Sequence, residues 1–115
     1  IDEISIGAPT QVAELKDGSV RRHSLTPEQF GMQRTEIAAL VVRDAHESLA
    51  LLRTVLADTP GPARDIVLLN AGAAIYAAGL AQSVELGVAK ARAAISSGAA
   101  RQKLEALVDV SNEFK

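Results

Sequence analysis

There is no cysteine in this chain, which removes disulfide frameworks and Cys-ligated zinc or iron–sulfur centres together. There is no tryptophan, and the aromatic residues are only Phe30, Tyr76 and Phe114. Neither sign of charge is in excess: 12 basic residues face 14 acidic ones, for a net charge of −2. That balance does not call for a nucleic acid or a membrane surface as partner. No apolar run approaches the ~20 residues that span a bilayer. A Gly-x-Gly-x-x-Gly fingerprint, a phosphate loop and a nucleophile elbow are also missing. The opening Ile1-Asp2-Glu3-Ile4-Ser5-Ile6 has no basic stretch ahead of it and does not read as a signal peptide. The absence of cysteine fits a cytoplasmic location, which is the expectation here.

What is present is alanine, which supplies 21 of the 115 residues. The length suits one small domain. Apolar burial returns roughly 25 cal/mol per Å², and an alanine methyl removes little area from water. Ordering costs about 1.5 kcal/mol per residue. Such a chain closes that gap poorly alone, so burial against more protein is expected, from upstream chain or another subunit. The first residue is Ile1 and the one methionine is Met32, which also leads us to expect upstream sequence.

Two regions of different character meet near residue 44. In the first, Asp17-Gly18 separates Thr10–Lys16 from Ser19–Ser24, the pattern of a hairpin whose tight turn needs positive φ at both central residues. Thr26-Pro27-Glu28-Gln29 reads as a capped helix start that Gly31 ends within about a turn. Thr35 to Val42 has no clean pattern and reads as loop or short helix. From Asp44 the chain reads as helical. Asp44 with Glu47 makes a capping box, and Leu49, Leu52, Val55 and Leu56 share one helical face. Asp58-Thr59-Pro60-Gly61-Pro62 stops that helix. The next helix runs from about Ala63 to Ala78, is apolar nearly all round and is expected to be buried, with Gly72 and its alanines admitting close neighbours. Ser83 is expected to cap a third helix striped by Val84, Val88, Ala91 and Ile95. Ser97-Gly98 breaks it from a last one, carrying Leu104, Leu107 and Val108, that ends near Asn112.

Few residues offer chemistry. Asp2 and Glu3 are adjacent carboxylates, hard oxygen donors of the kind Mg²⁺ prefers, which a loop can converge although a helix or strand cannot. Taken alone they read as two exposed acids. His23 and His46 stand in no metal-ligand spacing and read as surface residues. Lys16, Arg21 and Arg22 flank the hairpin and read as a solvated edge that discourages strand pairing. Asn70, inside the most apolar helix, reads as an amide hydrogen-bonded to neighbouring backbone, with substrate contact as the alternative. Ser96, Ser97 and Ser111 have no nearby base to activate them.

Asp2-Glu3-Ile4-Ser5, Pro9-Thr10-Gln11-Val12-Ala13-Glu14-Leu15 and the Asp17-Gly18 turn resemble the anthranilate phosphoribosyltransferase family. Leu25-Thr26-Pro27-Glu28-Gln29-Phe30-Gly31, Asp65-Ile66-Val67-Leu68-Leu69-Asn70-Ala71, Ser97-Gly98-Ala99-Ala100 and Lys103-Leu104-Glu105-Ala106-Leu107 follow in the family's order. The resemblance covers the whole chain and the family's last third. It implies an α/β parent enzyme, of which this segment is a β-hairpin region followed by packed, mostly antiparallel helices. Residues 1–43 would be the hairpin part carrying the Asp-Glu pair, and 44–115 the helical part on the same domain. A helical domain and a glycine-rich pyrophosphate loop would lie upstream.

The resemblance further implies transfer of phosphoribosyl from phosphoribosyl pyrophosphate to anthranilate in tryptophan biosynthesis, by a homodimer. It implies Mg²⁺ as cofactor, with Asp2 and Glu3 as its ligands, and no activity in this segment alone. Ala8 stands where many members have glycine before Pro-Thr, so that loop is expected to differ. Two other readings compete. A non-catalytic nucleic-acid-binding relative of the same fold would call for a basic face, which the charge balance does not supply. A helical self-association module would leave the Asp-Glu pair incidental.

Overall fold

The computed structural model describes residues 1–115 as a two-stranded antiparallel hairpin followed by four packed helices. Strand β1 (Thr10–Lys16) pairs with β2 (Ser19–Leu25) in a register that sets Val12 opposite His23 and Glu14 opposite Arg21. Asp17 and Gly18 take φ of 51° and 77°, so both central residues of the turn are left-handed, as a type I′ hairpin requires. Along β1 the half-buried residues are Thr10, Val12 and Glu14, one face of the strand, while β2 is exposed as far as Leu25.

A 3₁₀ turn over Pro27–Phe30 follows, closed by Gly31 at φ 70°. Its entry is tied by the Thr26 amide donating to Gln29 Oε1 at 2.8 Å. A second 3₁₀ turn, Ile37–Leu40, occupies the stretch whose sequence had no pattern. Helix α1 (Ala45–Leu56) is capped by Asp44, whose side chain accepts from the Glu47 amide at 2.8 Å. The return half of the expected capping box is displaced by one residue: the Glu47 carboxylate accepts from the Arg43 amide at 2.9 Å rather than from Asp44. Helix α2 (Pro62–Ala77) starts at a proline, and Arg64 holds the turn before it by donating to Asp58 Oδ1 at 2.9 Å and Asp58 O at 3.1 Å. Ser83 caps α3 (Val84–Ser96), accepting from the Leu86 amide at 3.1 Å. Gly98, at φ 83°, separates α3 from α4 (Ala99–Asn112).

The core lies where α2 and α3 meet the loops from the first region. Leu68, Leu69, Val88 and Ile95 pack with Ile6, Met32 and Val55. Only 12 of 115 residues are buried; the stripe foreseen on α1 is covered at Val55 and half-covered at Leu56, while that on α4 stays largely open. Leu49 and Leu52 are about two-fifths exposed, and Leu107 and Val108 more so. Helix α2 departs from its expectation in the same way: Leu68, Leu69 and Gly72 are buried, but Val67, Ala74 and Ala77 face outward. Helix α1 packs chiefly on α2 and α4 chiefly on α3, which leaves apolar faces of α1, α2 and α4 uncovered. No helix is long and apolar enough to cross a membrane.

Candidate functional site

Between the hairpin and α2 lies a cleft of about 720 Å³. Its floor is one helical face of α2, formed by Asn70, Ala73, Tyr76 and Ala77. One wall is β1, and Asp2 and Glu3 stand at its edge. Both carboxylates are exposed, and the four ion pairs of the structure lie elsewhere. No group of three or more His, Cys, Asp or Glu gathers around them. Asp2 and Glu3 are thus two adjacent exposed carboxylates lining the cleft, with no ion-pair partner.

The segment that follows them is fixed residue by residue. The Ile4 amide donates to Asn70 Oδ1 at 2.9 Å, and Asn70 Nδ2 donates back to the Ile4 carbonyl at 2.9 Å. The second Nδ2 proton goes to Ile66 O, one turn earlier on α2, at 2.9 Å. The Ser5 amide donates to Thr10 Oγ1 at 2.9 Å, and the Gly7 amide to Ser5 Oγ at 3.0 Å. Ile6 is fully buried and its carbonyl accepts from the Thr35 amide at 3.0 Å. Asn70 is therefore the backbone-bonded amide expected from the sequence.

On the other side of the cleft the Tyr76 hydroxyl donates to Glu14 Oε1, and Lys16 Nζ sits 5.6 Å from the centre of the Tyr76 ring. This trio was not legible from the sequence, because Glu14 and Tyr76 are 62 positions apart. The one available signal was the alternation of β1, which puts Glu14 on the same side as Val12. His23 lines the cleft from β2 but is exposed, and His46 lies at the start of α1, away from it. Arg21 and Arg22 are exposed on β2, and Ser96, Ser97 and Ser111 lie outside the cleft. The carboxylates held below their ordinary range are also remote from the cleft. Glu28 is lowered chiefly by its hydrogen bond from Arg34, and Glu47 by that from Arg43.

Residues 1–101 match the model of the glycosyl transferase family, a/b domain. The anthranilate phosphoribosyltransferase of Methylococcus capsulatus is 54% identical over 114 residues, which cover 99% of this chain and 33% of that protein. That of Thioalkalivibrio sulfidiphilus is 58% identical over 108 residues, 94% of this chain and 32% of the relative. The crystal structure of anthranilate phosphoribosyltransferase from Thermus thermophilus superposes with a TM-score of 0.84 at 39% identity, covering 95% of this chain and 32% of that one. This chain spans about a third of the length of the curated relatives it matches. The family model covers most of the chain, and the chain belongs to the glycosyl transferase family, a/b domain, with the anthranilate phosphoribosyltransferases above as relatives it resembles.

Proposed function

We propose that this chain is part of a magnesium-dependent anthranilate phosphoribosyltransferase, which transfers phosphoribosyl from phosphoribosyl pyrophosphate to anthranilate in tryptophan biosynthesis. The observation that carries the reading is the 54% identity over 99% of the chain to a relative of that name. In this reading residues 1–43 and 44–115 both belong to one larger α/β domain of a cytoplasmic homodimer. The helical domain and the glycine-rich pyrophosphate loop lie upstream, and the 115-residue chain alone is inactive.

Asp2 and Glu3 would hold Mg²⁺. Their donor chemistry fits, since this ion takes one or two carboxylates together with substrate phosphates and water rather than an all-protein cage. Their exposure at a cleft edge, with no third acid close by, matches such a partial set. When bound, the ion supplies Lewis-acid stabilisation of the charge that gathers on the departing diphosphate. The chain's own residues do the rest. Two carboxylates facing a diphosphate repel it unless a cation lies between them, so Asp2 and Glu3 make donor binding conditional on the metal. The hydrogen bonds at Ile4, Ser5 and Gly7 hold that pair at the cleft edge.

The test is the full-length enzyme carrying Asp2→Asn with Glu3→Gln. Turnover at fixed Mg²⁺ is expected to fall by more than the roughly 10- to 100-fold typical of losing an outer-shell partner. An unchanged Mg²⁺ dependence would refute the metal assignment. Absence of phosphoribosyl transfer to anthranilate by the unmodified full-length enzyme would refute the activity.

A further inference from the structure

We infer that Asn70 is a positioning residue for the Asp2-Glu3 pair, an inference that rests on the metal reading above. The argument starts from the peptide plane. The amide N–H of Ile4 and the carbonyl of Glu3 belong to the same planar unit. When Asn70 Oδ1 accepts from the Ile4 amide at 2.9 Å, it sets the orientation of the plane that carries the carbonyl of Glu3. When Nδ2 donates to the Ile4 carbonyl at 2.9 Å, it sets the next plane as well. One side chain thus fixes the backbone on both sides of Ile4, in the manner of a rung of a β-ladder. Among residues 1–4, Ile4 alone has hydrogen-bonded backbone, so it is the point from which the two acids emerge.

The amide itself is rigidly held. Its remaining proton bonds to Ile66 O within α2, so both Nδ2 protons are used and rotation of the amide breaks bonds in each direction. Asn70 stands on the helix that forms the cleft floor, 66 residues away in sequence from the segment it grips. Apolar residues surround it on α2, where a leucine or alanine would suit a purely packing role better. An amide at this position couples the placement of the carboxylates to the most anchored helix of the chain. Its loss frees Asp2 and Glu3 to sample orientations in which they cannot address one ion together.

The experiment uses the full-length enzyme, with Mn²⁺ and inorganic pyrophosphate as probes read by electron paramagnetic resonance, alongside steady-state kinetics across Mg²⁺ concentrations. Asn70→Ala is expected to weaken Mn²⁺ binding and raise the Mg²⁺ concentration for half-maximal rate by roughly 10- to 100-fold, the cost typical of losing a group that orients metal ligands. In the Asp2→Asn, Glu3→Gln background the same change is expected to have no further effect on Mn²⁺ binding. A purely structural role would instead lower thermal stability and leave metal affinity unchanged, and that result overturns the inference. Equal effects of Asn70→Ala in both backgrounds overturn it too. If Asn70→Ala does not fold, the near-isosteric Asn70→Asp carries the same test, because it keeps the acceptor for Ile4 N–H and loses both donated bonds. Normal metal binding by Asp2→Asn, Glu3→Gln would defeat the metal reading itself, whereas a defect there with none in the Asn70 variants would defeat only this inference.

Discussion

Gly87 on α3 rests directly on the backbone of Gly72 on α2: a methyl carbon placed at Gly87 would lie 2.1 Å from the Gly72 carbonyl oxygen. In return, a methyl carbon at Gly72 would lie 2.5 Å from Val88 Cγ2 and 2.6 Å from the Val88 nitrogen. The two helices approach backbone to backbone, and neither contact can be relieved by a side-chain rotation alone. Gly87→Ala and Gly72→Ala are each expected to destabilise the intact protein by about 1–3 kcal/mol or more through overpacking. That loss outweighs the gain of up to ~1 kcal/mol in helix propensity from replacing glycine by alanine. Urea unfolding of each variant checks the sign, and a stabilised Gly87→Ala protein would show that the helices do not meet this closely.

Leu68 and Leu69 are both fully buried, with 0% exposure, although they are adjacent on α2. Neighbouring residues on a helix point about 100° apart, so α2 is covered over a wide arc at this level. Leu68→Ala and Leu69→Ala are each expected to cost about 2–5 kcal/mol, while Val67→Ala, at a position 38% exposed, is expected to cost much less. Thermal unfolding of the three variants in the intact protein gives the order directly.

The hairpin turn offers a local test. Gly18 holds φ 77° with open space around its Cα, so a side chain there meets strain and no clash. Gly18→Val is expected to cost about 1–2 kcal/mol from the left-handed backbone alone. Since Asp17 is already at φ 51°, Asp17→Gly is expected to be neutral or mildly stabilising. Equal stability of Gly18→Val and wild type, by denaturant midpoint, would argue against this turn.

Two carboxylates, exposed Glu28 and half-buried Glu47, report on local pairing through pH. Arg34 donates to Glu28, and that hydrogen bond is the main reason its carboxyl titrates below the ordinary glutamate range. For Glu47 the main cause is the Arg43 side chain, followed by the Arg43 backbone amide. A lowered folded-state pKa means stability that is present above the unfolded glutamate range and lost as pH falls through the folded value. NMR titration of Arg34→Ala is expected to raise Glu28 part of the way toward an ordinary glutamate, because its backbone amide and the Thr26 side chain still hydrogen-bond the carboxylate. Arg43→Ala is expected to raise Glu47 only part of the way, because the backbone amide still donates. Full recovery in the second case would remove the backbone bond from the account.

Exposed apolar surface predicts how the isolated chain behaves. Fourteen large apolar side chains are exposed, Phe114 at 85% and Leu107 at 61% among them, against 12 buried residues of any kind. Exposed apolar side chains in such number favour association wherever they adjoin. The 115-residue chain by itself is expected to bind a hydrophobic dye and to grow in apparent mass with concentration in light scattering. A dye-silent, concentration-independent monomer would show that its stripes are covered within the chain.

The elements were legible in the sequence because their determinants are local. Asp17-Gly18 can meet a demand for two positive φ angles, Asp44 and Ser83 can satisfy the orphan amides of a helix start, and Gly98 can end one helix where the next begins. Each of these acts within a few residues, so the order of strands and helices follows from the string of letters. The Asp2-Glu3 pair and the family resemblance were visible for the same reason, as runs of residues. The site's construction was not visible, since it depends on which distant surfaces touch. Nothing local to Asn70 names Ile4 as its partner, nothing in Glu14 points to Tyr76, and no rule of spacing brings Gly87 onto Gly72. Which apolar stripes are covered was equally undecided, because periodicity shows where a helix is apolar and only packing shows what lies against it. Backbone chemistry fixed the pieces, and the long-range packing of α2 against α3 and the loop at Ile4 decided where the two acids stand.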